Sequence, residues 1–335
     1  MTGQLYIDGK DAYTVYGIYI LEGGYNELIA MPPLKSVETN DWKEEDGIEA
    51  DLSAPVLNTK DVQLKLASDN ANNRYFSLIE RLSDGSYHTF DCRKIGRVYR
   101  LRLVSVAPSS YLGDLTILTM KFADDFPLNG YTYSLPVSSI SSDGGYAIDS
   151  KPISDYGVRV LQGTLSEITK QPDVKTNMLR NIKTATGAIY DPINVTYKSK
   201  EVKLYCLMTA DTIDRLWNNW DALLYDLTRP EERMLWVDSI EQEFPCYYKS
   251  CSVSEFYVEG KIWLKFTLTL VFTHDFRISD DDVVLSSENG IVVFTQNNLY
   301  AVEMLEERLR NKTFRFVNSE QSLRLSSDGN IRFND

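Results

Sequence analysis

The chain between residues 16 and 68 reads YGIYILEGGYNELIAMPPLKSVETNDWKEEDGIEADLSAPVLNTKDVQLKLAS, and this stretch returns 140 residues later. Residues 156–208 read YGVRVLQGTLSEITKQPDVKTNMLRNIKTATGAIYDPINVTYKSKEVKLYCLM. Without a gap, thirteen of the 53 aligned pairs are identical. The identical pairs include turn glycines and lysines: Gly17/Gly157, Gly23/Gly163, Lys35/Lys175, Gly47/Gly187 and Lys60/Lys200. This self-similarity predicts a duplicated domain.

The duplication extends on both sides of this stretch. IDGK at residues 7–10 answers IDSK at 148–151, and LTMKFADDF at 118–126 answers LTLVFTHDF at 268–276. We therefore predict a first repeat at residues 1–127, a linker at 128–146, a second repeat at 147–277 and a small α+β C-terminal extension at 278–335. Within the linker, Tyr131–Leu135 is a candidate arm for pairing with a sheet edge.

Hydrophobic periodicity predicts a mainly β fold with one helix in each repeat. Residues 60–67 alternate apolar and polar side chains, a period of two that is typical of a half-buried strand. The clearest helix follows the equivalent strand of the second repeat, where apolar residues recur every three or four positions from Ile213 to Leu227 after a Thr212 cap. A strand is expected at residues 13–21, and a helix in the extension at 299–310. Each repeat is predicted to be a β-sandwich or small barrel with a helix over one side.

Composition limits the possible functions. The chain has 335 residues, a net charge of −13 and four cysteines, and no long apolar run. Such an acidic chain is unsuited to broad binding of nucleic acid or anionic lipid. The cysteines form no C-x-x-C pair, so reduced thiols are expected, and the N-terminal residues lack the pattern of a secretory signal.

The sequence predicts no catalytic, cofactor-binding or metal-binding residues, and so no enzyme. His88 and His274 are the two histidines, and neither lies in a nucleophile motif. No ligand spacing fits zinc, and no glycine-rich loop fits a phosphate. Asp280–Asp282 is acidic, but consecutive acids on an extended chain do not form a calcium loop.

One loop is a candidate contact surface. Trp42, Glu44, Glu45 and Asp46 lie in a charged segment with no helical or strand pattern, where an indole is typical of an interface. Interface contact and local packing both remain open for Trp42. Trp217 and Trp220 are predicted to be core because they lie on the apolar face of the helix, although tryptophans in such a pair can also stack on a sugar.

The order of these features resembles the tube-type domain of bacteriophage tails, and in particular the distal tail protein. The features are the opening IDGK, the Tyr16-Gly17 strand start, the polar loop ending at Asp46-Gly47, the alternating strand, the aromatic helix and the strand that closes on Phe122 and Phe126. The resemblance covers residues 5–276, in two copies, and rests on order and pattern.

This resemblance implies a virion structural protein that forms a ring or baseplate hub at the distal end of the tail tube through sheet-edge contacts. The implied partners are the chain itself, as a trimer with pseudo-six-fold symmetry or as a hexamer, and other tail or baseplate proteins. It implies assembly in the bacterial cytoplasm and a final place in the virion tail, with no cofactor, no membrane and no specific nucleic acid binding. DNA would pass through the acidic lumen without adhering.

Two alternatives belong to other classes. A carbohydrate-binding β-sandwich for surface or tail-tip adhesion would show exposed aromatic side chains on one sheet face or in a cleft. A tail-associated hydrolase would show a pocket with converging acids or a His/Cys pair.

Overall fold

The computed structural model of the protein describes residues 1–69, 74–112, 115–138, 140, 145–175, 180–181, 183–184, 186–189, 195–274, 276, 283–284, 302–304 and 315–316. The chain divides into two compact units, Met1–Phe276 and Arg277–Asp335. The two sequence repeats lie in the first unit. Among the described residues, no helix is long and apolar enough to cross a membrane.

In its described residues, the first repeat has ten strands and three short helices. The strands are β1 (Leu5–Ile7), β2 (Lys10–Asp11), β3 (Ile18–Ile20), β4 (Thr39–Asn40), β5 (Glu49–Ala50), β6 (Lys60–Ser68), β7 (Tyr87–Cys92), β8 (Arg97–Val106), β9 (Ser110–Leu112) and β10 (Leu115–Asp124). The helices are α1 (Ala12–Tyr16), α2 (Asn26–Ile29) and α3 (Tyr75–Leu82).

The part of the second repeat that the structure describes has nine strands and two α-helices. The strands are β11 (Tyr146–Ile148), β12 (Lys151–Pro152), β13 (Val158–Val160), β14 (Arg180–Asn181), β15 (Ala188–Ile189), β16 (Lys200–Ala210), β17 (Arg233–Val237), β18 (Gln242–Tyr257) and β19 (Ile262–Phe272). The helices are α4 (Thr164–Thr169) and α5 (Ile213–Leu227), and 3-10 turns lie at Ile153–Tyr156 and Asp238–Ile240.

Both repeats form a curled antiparallel sheet with the same strand order. The first sheet runs β2-β1-β7-β8-β10-β6-β3, with β9 also paired to β10, and the second runs β12-β11-β17-β18-β19-β16-β13. Five of the seven positions hold strands that the sequence offsets equate: β2/β12, β1/β11, β10/β19, β6/β16 and β3/β13. The prediction of a mainly β fold is confirmed, with sheets that curl into half-barrels.

The strand period places the core as the alternation predicts. Val62, Leu64 and Leu66 of β6 are buried, while Asp61 and Lys65 between them are exposed. Strand β16 repeats the pattern and pairs with β19 along its full length. Each repeat also buries the apolar face of a helix, α3 or α5. Burial of these apolar faces is the main stabilising contribution.

The predicted strand at residues 13–21 is wrong in its first half. Asp11 caps a short helix, α1, by accepting a hydrogen bond from the Thr14 amide at 2.7 Å, and Gly17 ends it with a φ of +69°. Gly157 ends the equivalent 3-10 turn with a φ of +73°. The pattern missed these turns because a helix of one turn is too short to show a period of 3.6. The expectation of one helix per repeat is corrected for the same reason.

Residues 131–138 of the linker pack on α5 and form no strand, contrary to the arm suggested for Tyr131–Leu135. The Asn219 side chain brackets the Val137 peptide, accepting from its amide and donating to its carbonyl, both at 2.9 Å. Tyr133 donates to Asp226 at 3.1 Å. The helix therefore offers polar side chains that substitute for a strand edge.

In the second compact unit, three short strands pair in the order β20 (Val283–Val284), β21 (Val302–Met304) and β22 (Arg315–Phe316). The helix predicted at 299–310 is wrong at Val302–Met304, where β-branched Val302 and its neighbours pair with two strands instead. The rest of that predicted helix and Asp280–Asp282 lie outside the described residues.

Candidate functional site

The loop that carries Trp42, Glu44, Glu45 and Asp46 connects β4 and β5 and reaches across to the second repeat. Its contacts with the second repeat use its main chain and the carboxylates of Asp41 and Asp46. The Trp42 side chain remains 53% exposed, with its indole N–H donating to Glu49 at 3.2 Å. Glu44 and Glu45 are also exposed. The loop singled out from the sequence therefore forms an interface between the two repeats of one chain. That its exposed side chains contact another protein stays a prediction.

Lys175 of the second repeat is the centre of this contact. Its ammonium donates to three carbonyl oxygens of the loop, those of Trp42 at 2.6 Å, Glu45 at 2.8 Å and Gly47 at 2.6 Å. The Asp41 carboxylate lies 2.6 Å away as an ion pair. The Lys175 side chain is only 5% exposed. An ammonium has three donors, so the loop satisfies a nearly buried charge and is itself fixed in shape by it.

The loop also pairs with backbone groups of the second repeat. The Gly47 amide donates to the Tyr197 carbonyl at 2.7 Å, and the Tyr197 amide donates to Asp46 at 2.9 Å. The Ile48 amide donates to the Thr273 carbonyl at 2.8 Å. Gly47 has a φ of +73°, and a Cβ there would lie 1.7 Å from the Thr273 oxygen. A glycine is required here both for the turn and for the close approach of two backbones.

Helix α5 makes a second set of contacts. Trp217 donates its indole N–H to the Ile95 carbonyl at 2.7 Å, and Trp220 donates to the Ile29 carbonyl at 3.0 Å. Both tryptophans are buried, so their prediction as core residues is confirmed. They are core of the interface between the repeats, since both carbonyls belong to the first repeat. Buried tryptophans commonly satisfy their N–H in this way.

An arginine bridges the same helix to the first repeat. The Arg97 guanidinium lies 4.5 Å from the centre of the Trp217 ring and 2.8 Å from the Asp221 carboxylate. The pKa of Arg97 is raised, since attraction to Tyr99 and Asp221 and a hydrogen bond to Asp221 outweigh the opposing effect of burial. A cation held between a ring face and a carboxylate is a directional contact.

Strand β18 supplies the third part of the interface. Its register against β19 shifts between Tyr248 and Ser250, so Lys249 is the extra residue of a bulge. A bulge leaves the backbone of that residue unpaired within the sheet. The Lys249 carbonyl accepts the Leu34 amide of the first repeat at 3.0 Å, and the Tyr248 hydroxyl donates to the Pro32 carbonyl at 2.9 Å.

A lysine of the first repeat is enclosed near this interface. Lys60 donates to the Leu28 carbonyl at the end of α2. Burial lowers the pKa of its ammonium to about 7, with attraction to Asp124 acting in the opposite direction. Asp221 and Cys251 of the second repeat contribute to its electrostatic surroundings. The equivalent Lys200 donates to the Ile168 carbonyl at the end of α4, and burial lowers its pKa to about 8.

Each repeat holds one aspartate of its opening hairpin with arginine or histidine side chains. Asp8 has a φ of +48° and binds Arg81 at 2.7 Å and His88 at 2.8 Å. Asp149 has a φ of +50° and binds Arg229 at 3.0 Å and Arg233 at 2.7 Å.

His88 is buried between carboxylates. Its Nε2 lies 3.2 Å from Asp84 and 3.4 Å from Ser86, whose hydroxyl donates to Asp84 at 2.6 Å. His274 lies 3.2 Å from Glu232. No group of three or more potential metal ligands is present among the described residues.

Sequence reasoning missed Lys175, Thr196 and Tyr197, the residues that receive the loop. Lys175 is one of the identical pairs of the repeat, and an unexplained lysine retained in both repeats was the available signal. Thr196 donates to the Lys43 carbonyl at 2.8 Å, and Lys43 is another such pair. The Trp217 and Trp220 contacts gave no signal in sequence, because their helical spacing is also that of an ordinary core.

The fold and this interface define a mainly β protein in which one curled-sheet unit docks its loop onto the flank of the next. No protein-family model matches the chain, and no curated protein matches it. Among solved structures, the chain is similar to the crystal structure of SPP1 Dit (gp 19.1), described as a paradigm of the hub adsorption apparatus in phages that infect Gram-positive bacteria. That similarity has 11% identity and a TM-score of 0.29, and it covers 80% of this chain and 98% of the SPP1 chain.

Proposed function

We propose that this chain is a non-enzymatic structural protein of a phage tail or prophage-derived tail, which assembles with itself into a ring or hub at the distal end of the tail tube. The observation that carries the proposal is the docking of the first repeat on the second. Two units with one strand order meet through different surfaces: the β4–β5 loop of one, and α5, β18 and Lys175 of the other.

A contact between different surfaces of like units is heterologous, and such a contact leaves one surface of each kind unused at the two ends. Repetition of that contact continues until a ring closes or a filament forms. A chain with two units needs three copies for a six-unit ring, so a trimer with pseudo-six-fold symmetry is the expected assembly. A hexamer with the second repeat on the outside is the other arrangement.

The tail setting comes from the resemblance of residues 5–276 to tube-type domains. The acidic composition is compatible with it, since a net charge of −13 repels DNA that passes through a lumen. The other partners of such a ring are the neighbouring tail and baseplate proteins.

The carbohydrate-binding alternative calls for exposed aromatic side chains on one sheet face, and the three most exposed aromatic side chains among the described residues lie on different elements. They are Trp42, Phe76 and Tyr111, which belong to a loop, a helix and a short hairpin strand.

Electron microscopy of the purified full chain at high concentration tests the proposal, together with light scattering for mass. Rings with three-fold symmetry and six similar lobes are expected, with the mass of three chains. A chain that remains a monomer at its solubility limit contradicts self-assembly. Saturable binding to a polysaccharide by that monomer would favour the alternative function.

A further inference from the structure

Among the described residues, the receiving surface of the first repeat and the turn at Thr186-Gly187 of the second repeat are exposed, whereas their counterparts form the internal contact. We infer that the first-repeat surface around Lys35 and Val56 binds the turn at Thr186-Gly187 of a second copy of this chain, which repeats the internal contact between chains. This inference deepens the proposed self-assembly and rests on it. The occupant is a second copy because the same kind of loop already occupies the equivalent surface inside each chain.

The receiving backbone is the same in both repeats. In the second repeat, the Lys175 amide donates to the Thr196 carbonyl and the Lys198 amide to the Asp173 carbonyl, both at 2.8 Å. In the first repeat, the Lys35 amide donates to Val56 and the Asn58 amide to Pro33, also at 2.8 Å. These bonds fix Tyr197 and Leu57 in equivalent bridges. The Leu57 amide and carbonyl therefore face outward in the manner of those of Tyr197, which bind Asp46 and Gly47.

Side chains on the first-repeat surface are more exposed than their counterparts on the second repeat, as expected if the first surface has no loop bound to it. Lys175 is nearly buried beneath its loop, whereas Lys35 is exposed. Thr196 is buried against Lys43, whereas Val56, which occupies the same position in the first repeat, is 52% exposed. A lysine and a valine are thus held on a defined backbone frame with nothing above them in the described part of the chain.

The first repeat also has an exposed apolar patch on α3 and β9. These two elements correspond to α5 and the end of β18 in the second repeat. Phe76 of α3 is 54% exposed and lies against Tyr75, with 4.3 Å between ring centres. The Tyr75 hydroxyl is 3.4 Å from that of Tyr111, which is 64% exposed, and Leu112 beside it is also exposed. In the second repeat the corresponding elements are covered by the first repeat, through Trp217, Trp220 and the Ser254 carbonyl.

The loop that would fill this surface has the required turn. Gly187 has a φ of +84° and is exposed, and a Cβ there meets nothing within 4 Å, whereas Gly47 in the first repeat is buried against Thr273. Lys183, Thr184 and Thr186 are exposed as well. Thr186 stands where Asp46 stands in the first loop, and its hydroxyl oxygen can accept the Leu57 amide as Asp46 accepts that of Tyr197.

The two loops differ in charge, and this difference makes the internal contact stronger than the contact between chains. The first loop carries Asp41, Glu44, Glu45 and Asp46, while the second has Asn181, Thr184, Ala185 and Thr186 at those positions. The contact between chains therefore lacks the ion pair that Asp41 makes with Lys175. It is weaker than the internal contact, so each chain docks its own repeats first and joins other chains as concentration rises.

Two single variants of the full chain test the inference. Gly187→Asn adds a side chain at the close approach while its backbone still tolerates a positive φ, and Val56→Asp puts a carboxylate on the receiving surface. Gly9→Asn is the matched control: Gly9 has a φ of +77° with nothing near its Cβ, and the equivalent Ser150 carries a side chain at a φ of +67°. Each test variant is expected to weaken association at least tenfold by analytical ultracentrifugation, and the control to leave it unchanged.

Mixing the two test variants gives the decisive readout. In a head-to-tail contact, Val56→Asp keeps its loop and Gly187→Asn keeps its receiving surface, so the mixture forms a one-to-one dimer that neither variant forms alone. If the wild type and both single variants all form rings, this inference is overturned and the proposed function stands. A wild-type chain that remains a monomer at its solubility limit would overturn both. If each variant alone fails to associate and their mixture also fails to form the dimer, the head-to-tail geometry is refuted.

Discussion

Replacement of Gly47 by alanine tests whether the loop contact holds the two repeats together. A methyl group at this position would lie 1.7 Å from the Thr273 oxygen and 2.7 Å from its carbonyl carbon, so the loop must move away. Movement breaks the Gly47–Tyr197 and Ile48–Thr273 hydrogen bonds and withdraws three carbonyls from Lys175. Two neutral hydrogen bonds and one set of charge-assisted bonds together contribute about 4 kcal/mol.

Gly187→Ala is the matched control, because its φ is also positive and its Cβ would have no neighbour within 4 Å. Both variants carry the cost of an alanine at positive φ, about 1 kcal/mol. In dilute protein, where chains remain separate, urea denaturation should show Gly47→Ala less stable than Gly187→Ala by about 4 kcal/mol. A Lys175→Met background should shrink that difference, since the two sites share one set of bonds. Equal stability of the two alanine variants would refute this account of the interface.

Three further predictions concern charge and hydrogen bonding. Lys60 has a pKa of about 7 in the fold against 10.5 when free, so the unfolded chain binds more protons between these values and stability rises with pH; from pH 7 to 9 the wild type should gain roughly 2 kcal/mol relative to Lys60→Met, and equal pH profiles would contradict the burial of this ammonium. Burial keeps the pKa of Cys92 and Cys251 at about 12, so these thiols do not titrate in that window. Burial raises the pKa of Asp8, but hydrogen bonds from His88, Thr89 and Arg81 lower it overall; its contribution is complete above about pH 4 and lost as pH falls, so Asp8→Asn should flatten acid unfolding followed by circular dichroism, and an unchanged profile would count against the cluster. Val56→Thr restores the hydroxyl that Thr196 uses and should tighten association between chains about fivefold by ultracentrifugation, with Val56→Ala as control; a weaker assembly would contradict the equivalence of the two surfaces.

The sequence predicts the longer strands and the long helix because their apolar residues recur with a regular period. The alternation at residues 60–67 and the helix at Ile213–Leu227 lie where the pattern puts them, and Thr212 caps that helix as expected. Short helices such as α1 and α2 escaped, since their ends are decided by single residues such as Asp11 and Gly17 rather than by a period. The extension is predicted to be α+β with its helix at 299–310, and within that range strand pairing decides the structure of Val302–Met304.

The sequence predicts the loop of the candidate site but not the surface that receives it. A charged loop with a tryptophan indicates a contact, and the Trp42 loop makes one. What it contacts depends on how two distant segments come together, which no local pattern contains. Lys175 and Gly47 illustrate the difference: both are retained in each repeat, but the requirement for them becomes visible only when the lysine is seen beneath the loop and the glycine against the Thr273 backbone.

The junction between the repeats has a consequence for stoichiometry. Because both units belong to one polypeptide, half of the junctions in any closed ring form intramolecularly, at the high effective concentration that a covalent tether provides. Such a ring always contains an even number of units, so rings of five or seven units are unreachable for this chain. Around that ring, junctions with an acidic loop alternate with junctions whose loop carries no acid, and a neighbouring protein with half that symmetry can distinguish the two kinds.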